Sequence, residues 1–104
     1  MKLSTKIIIF FYIFLALNNT KILAEEKIKI GLLIPLSGTQ ANTGKSILQS
    51  VRMAVEKIDN SRFEIIPKDT KNDPEKTLLV AKELQDEGIK IVLGPVFNKN
   101  LIYL

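Results

Sequence analysis

The chain has 104 residues, 46% of them hydrophobic, and 15 Lys and Arg against 11 Asp and Glu give it a net charge of +4. It contains neither cysteine nor histidine. That excludes disulfides, thiolate metal sites, thiol nucleophiles, Ser-His-Asp hydrolysis and imidazole-bound zinc within this chain.

At the start, Lys2 and Lys6 precede an apolar run from Ile7 to Leu17, followed by Asn18, Asn19, Thr20 and Ala24. This is the three-part pattern of a secretory signal peptide. The 11-residue run falls short of the about 20 apolar residues that span a bilayer, so a cleaved signal over residues 1–24 is expected rather than an anchor. Cleavage is expected after Ala24, although Ile22 is bulkier than the small residue usual three positions before the bond. A lipoprotein anchor, which needs a cysteine there, is excluded. The expected location is the periplasm. Removing the signal takes Lys2, Lys6 and Lys21 and leaves 12 cations against 11 acids, a net of +1. The basic surplus therefore belongs to the signal, and no basic stripe remains to argue for a nucleic-acid partner.

The remainder, 25–104, is long enough for one small core or a piece of one, and without disulfides that core must hold it. Ile28 to Leu36 is a near-continuous apolar run, the pattern of a strand buried on both faces of a parallel sheet. Ser37 to Thr43 has turn residues and no apolar period, and is read as a loop. From Gly44, the positions Ile47, Leu48, Val51, Val55 and Ile58 recur at three- and four-residue steps, which predicts an amphipathic helix ending near Asp59 and Asn60. Phe63 to Ile66 predicts a second strand, ended by Pro67 and the polar stretch to Asp73. Asp73-Pro74-Glu75 then has the form of a helix start, with a side-chain cap, a proline where no amide is needed and an acid at the positive end of the dipole. That helix is expected to run to Glu87, with Leu78, Val80, Ala81 and Leu84 towards the sheet and Gly88 as its left-handed cap. Ile89 to Leu93 predicts a third buried strand, broken at Gly94-Pro95, and another helix is expected to begin within Asn98 to Leu104.

The order β-α-β-α-β with short connections specifies an α/β fold: an open parallel sheet between helices, three layers in all. The carboxyl ends of the strands then share one edge, so Ser37 to Gly44, Asp69 to Asn72 and Val96 to Asn100 converge there, where open α/β sheets bind ligands. Ser37, Thr39, Asn42, Thr43 and Asn98 can exchange hydrogen bonds with a ligand, and helix-start amides can hold an anion. Each is also an ordinary turn or cap residue. Gly31, Gly38 and Gly44 do not form GxGxxG, and Gly44-Lys45-Ser46 lacks the P-loop's first glycine because position 39 is Thr. Asp73 is used as a cap and Asp69 has no evident partner, so the residues favour a receptor over an enzyme.

The segments IKIGLLIPLSGTQANTGKSILQSVRMAVEKIDN and DTKNDPEKTLLVAKELQDEGIKIVLGP resemble the type I periplasmic solute-binding proteins, in the leucine/isoleucine/valine-binding branch served by ABC transporters. The markers are the turn Pro35 to Gly38, the helix start Asp73-Pro74 and Gly94-Pro95 after the third strand. The resemblance implies two α/β lobes on a hinge, closing on an amino acid that is passed to an ABC permease, with no cofactor. The chain corresponds to an incomplete first lobe, an N-terminal fragment. The ligand contacts the resemblance suggests are Ser37, Gly38, Thr39, Thr43, Phe97 and Asn98. Two positions depart from the amino-acid binders: Phe97-Asn98-Lys99-Asn100 replaces a loop rich in Ser or Thr, and Thr43 stands where an aromatic residue often packs on the ligand. The ending GPVFNKNLIYL is similar also to the penicillin-binding-protein activators of the same fold, which regulate a peptidoglycan synthase through protein contacts. Both functional branches stay open on the sequence.

Overall fold

The computed structural model describes residues 2–17, 26–59 and 61–104. The predicted signal region contains helix α1, Lys2–Leu17, and the expected cleavage site after Ala24 lies outside the described residues. Among those residues, no helix is long and apolar enough to cross a membrane.

From residue 28 onward the elements alternate as expected: β1 (Ile28–Ile34), α2 (Ala41–Asp59), β2 (Phe63–Asp69), α3 (Pro74–Asp86), β3 (Ile91–Leu93) and a short 3-10 helix, Asn98–Leu101. The strands form one parallel sheet in the order β2-β1-β3. β1 is central, with Ile28 opposite Phe63 at one end and Ile34 opposite Asp69 at the other. Because side chains alternate along a strand, β1 serves two layers. Gly31 and Leu33 face α3, where Leu33, Val80, Leu84 and Ile89 form the buried cluster, with Ile66 and Ala81 packed on it. Ile30, Leu32 and Ile34 point to the other face, towards α2. β1 therefore reads as a near-continuous apolar run, interrupted by Lys29 at its exposed start, whose last residues, Leu32, Leu33 and Ile34, are fully buried.

Two close approaches fix the layers. A Cβ on Gly31 would stand 2.6 Å from Leu84 Cδ1, and one on Gly44 would stand 1.6 Å from the Pro35 carbonyl oxygen. Gly44 is thus a contact glycine: it lets α2 lie directly on the backbone that leaves β1. At the other helix, Asp73 caps α3 as predicted, its Oδ1 accepting from Lys76 N at 2.8 Å. Gly88 adopts the expected left-handed conformation, φ 77°. Gly88 N donates to Gln85 O and Ile89 N to Leu84 O, both at 3.0 Å, the Schellman pattern, and Ile89 packs beside Leu84 as that pattern favours. On the rim, Lys68 reaches Glu87 at 2.9 Å and Glu83 at 3.4 Å, joining β2 to α3 on the face the alternation assigns.

Several boundaries differ from expectation. α2 begins at Ala41, not Gly44, because Gln40 and Gly38 carbonyls accept from Gly44 N and Ala41 N and close a turn earlier. β1 ends at Ile34 rather than Leu36. β2 runs through Pro67 to Asp69; it is an outer strand, and an outer strand has a row of amides with no sheet partner, so a proline is tolerated. β3 is shorter than expected and not buried: Ile91, Val92 and Leu93 are 48%, 40% and 43% exposed, because β3 is the other outer strand and no described helix covers it. Ile58, placed on the inner side of its helix by periodicity, is 74% exposed in the last turn of α2.

Gly44→Ala drives a methyl into the Pro35 carbonyl, and the chain is expected to lose at least about 3 kcal/mol of unfolding free energy in urea melts. An alanine variant of undiminished stability would contradict this packing of α2.

Candidate functional site

The carboxyl edge of the sheet gathers the three predicted loops, and two polar links tie them together. The first centres on Asp69, the last residue of β2. Its Oδ1 accepts from Leu36 N and from Lys71 N, each at 2.8 Å, and its Oδ2 accepts the Ser37 hydroxyl at 2.7 Å. Asp69, for which the sequence suggested no partner in metal or acid-base chemistry, is thus held in place by backbone amides and a hydroxyl. Its partners are the Leu36 amide and the Ser37 hydroxyl after β1, 33 and 32 residues away in sequence, together with the turn that follows its own strand. Burial pushes the Asp69 carboxyl up, but the hydrogen bonds from Leu36 N, Ser37 and Lys71 N outweigh it and hold the pKa below the ordinary carboxylate value.

Immediately after Asp69, Thr70 N donates to Ile34 O at 3.0 Å, which extends the β1–β2 ladder by one bond. Thr70 is 1% exposed. Asp73 N then returns to Thr70 O at 3.0 Å, closing a turn in which Lys71 and Asn72 both have positive φ, 53° and 55°. Asparagine tolerates this region; lysine is strained in it. The turn is held by Lys71 N on Asp69 and by Asn72 N on Thr70 Oγ1 at 3.2 Å.

The second link joins this turn to the loop after β3. Asn100 Nδ2 donates to Asn72 Oδ1 at 3.0 Å. Asn100 is 1% exposed, and its Oδ1 has no hydrogen-bond partner among the described residues. The chain leaves β3 through Gly94, φ 106°, where a Cβ would stand 2.4 Å from Leu33 O. The third loop is thus pressed against the end of β1, and Asn100 N donates to Phe97 O at 3.0 Å to start the 3-10 turn.

Ser37 is half-buried and bonded to Asp69; Gly38 is exposed with φ 79°, and Thr39 is exposed beside it. Thr43 lies in the first turn of α2 rather than in a loop, its hydroxyl donating to Gln40 Oε1 at 3.4 Å. Phe97 is half-buried and Asn98 exposed at the start of the 3-10 helix. Asp69, Asn72 and Asn100 do the joining, and sequence reasoning gave none of them that part. A concavity of about 580 Å3 lies at the opposite, amino end of the sheet, lined among others by Glu26, Lys29, Glu64 and Lys90. It borders residues outside the description and gathers none of the candidate side chains.

The model of a family described as periplasmic binding protein matches residues 27–100, nearly all of the chain after the apolar helix. The chain belongs to that family. Similar solved structures include the isoleucine complex of LivJ, the branched-chain amino acid transporter substrate-binding protein of Streptococcus pneumoniae, at 24% identity and a TM-score of 0.66 over 73% of this chain and 24% of that one. An ABC transporter substrate-binding protein of Sphaerobacter thermophilus aligns at 25% identity and a TM-score of 0.67, over 72% of this chain and 22% of that one. A solute-binding protein of an R. palustris ABC transporter, in complex with benzoate, aligns at 30% identity and a TM-score of 0.58, over 66% and 21%. No curated protein matches the chain. The chain spans about a quarter or less of the length of these periplasmic binding proteins, and over that span it has their open parallel α/β fold.

The lowered Asp69 pKa gives the site a pH signature. A carboxyl whose folded pKa is depressed contributes stability that is present above its unfolded value, about 4, and lost as pH falls through the folded value. Urea melts are expected to show Asp69→Asn less stable than the wild type at neutral pH, with the gap closing as pH drops below about 4. A gap that stays constant into acid would contradict an ionised Asp69 at the joint.

Proposed function

We propose that the carboxyl edge of this sheet is one wall of a ligand cleft, and that the chain serves in an exported solute receptor that delivers a small molecule to an ABC permease. The observation that carries this reading is the convergence of three loops on one edge, held together through Asp69 and through the Asn72–Asn100 pair. That edge is where open α/β sheets take ligands, and the chain's family consists of binding proteins. Residues 1–24 act as the cleavable export signal, with α1 as its apolar core.

The ligand we propose is a branched-chain amino acid, supported by the likeness to the isoleucine-bound structure from Streptococcus pneumoniae. The contacts on this wall are Ser37, Gly38 and Thr39 in the first loop, Thr43 at the start of α2, and Phe97 and Asn98 after β3. Chemically they form a polar rim with one half-buried aromatic ring, suited to a zwitterionic head beside an apolar tail.

A ligand that binds only the folded chain raises its unfolding free energy; for a half-cleft dissociation constant of about 1 mM, about 10 mM ligand adds about 1.4 kcal/mol, a melting-temperature rise of several degrees. Leucine, isoleucine or valine is expected to produce that rise in a thermal melt, and glutamate and lysine are not. A response to none of the twenty amino acids would overturn the amino-acid assignment.

A further inference from the structure

The Ser37 hydroxyl carries a single proton, and that proton is already committed: Oγ donates to Asp69 Oδ2 at 2.7 Å. A hydroxyl bound to a carboxylate makes a charge-assisted bond, roughly twice as strong as a neutral one. Ser37 therefore does not turn its proton outward without breaking the bond that seats its loop on β2. What remains for a ligand is the hydroxyl's lone pairs, on an oxygen polarised by the carboxylate behind it. The carboxylate itself is tied down by Leu36 N and Lys71 N, each at 2.8 Å, so the pair is rigid. Ser37 is half-buried, not sealed.

This arrangement has a sign. A donor approaching Ser37, and above all a cationic one, meets a lone pair with a negative charge behind it. A carboxylate approaching the same point meets lone pair against lone pair and like charge against like. We propose that the Ser37–Asp69 pair is a specificity element of the cleft: it makes the first loop a subsite for a hydrogen-bond donor, an ammonium group in particular, and turns a bare carboxylate away from that point. The inference rests on the ligand-binding reading above and deepens it. It selects for ligands of isoleucine's chemistry, which carry an ammonium, over ligands of benzoate's chemistry, which carry no donor once ionised. It also reverses the plainest reading of Ser37 as a donor to a ligand's carboxylate.

The test is chemical-shift mapping on the 15N-labelled 104-residue chain, titrated separately with propylammonium, propionate and isoleucine at matched concentrations. Propylammonium and isoleucine are expected to shift Leu36, Ser37 and Gly38 in a saturable way, and propionate to leave them in place. In Ser37→Ala the propylammonium response is expected to weaken at least about tenfold, while the Thr70 amide, bonded to Ile34 O, keeps its position and reports an intact fold. Ser37→Thr, which retains a hydroxyl, restores the response. Propionate saturating at Ser37, or a propylammonium response unchanged in Ser37→Ala, overturns the proposal. Shifts confined to Phe97 and Asn98 overturn it too but leave the cleft standing, whereas no shift along the carboxyl edge with any probe removes both.

Discussion

One carboxylate holds the working edge of this fold together. A parallel sheet orders its strands through the ladder, but the ladder stops where the strands stop, and the loops beyond it have only their own polar groups to organise them. Asp69 takes over at that point. Its two oxygens accept from the loop that leaves β1 and from the turn that leaves β2, so stretches of chain 32 and 33 residues apart in sequence become one surface. The Asn72–Asn100 pair carries the same surface to the loop after β3. A mobile rim would pay the ordering entropy on binding; a rim assembled in advance does not.

The layers behind that edge explain why it can be so closely built. β1 gives one face to α3 and the other to α2, and glycines stand where helix and strand come nearest: Gly31 under Leu84 and Gly44 under the Pro35 carbonyl. The second contact bears directly on the site. It brings the start of α2, with Thr43 in its first turn, down onto the backbone just before Ser37, so the position of the candidate residues follows from the packing of the helix. Lys71, left-handed like Asn72 beside it, shows the strain the edge accepts to bring Asp69, Thr70 and Asp73 into register.

Local chemistry was readable in the sequence. Asp73-Pro74-Glu75 and Gly88 predicted their caps correctly because a cap is decided within four or five residues, and the alternation of apolar runs gave the fold class and the convergence of the three loops. What stayed hidden depended on distant pairing. Asp69 looked solitary because its partners, Leu36 and Ser37, become neighbours only once β1 and β2 are in register. Pro67 looked like a strand breaker because its place on an outer strand is a property of the sheet, and the exposure of Ile91, Val92 and Leu93 has the same origin. Asn72 and Asn100 read as ordinary turn residues, and nothing in their spacing revealed that they bond to each other.

Asp69 couples the loop after β1 to the turn after β2. Native-state amide hydrogen exchange at Leu36 and Lys71, which both donate to its Oδ1, tests that most directly. Both amides are expected to be protected in the wild type and to lose that protection together in Asp69→Ala, which removes the acceptor, while the Thr70 amide, bonded to the Ile34 carbonyl, keeps its protection. Leu36 and Lys71 exchanging at unprotected rates in the wild type, or remaining protected in the variant, would contradict it.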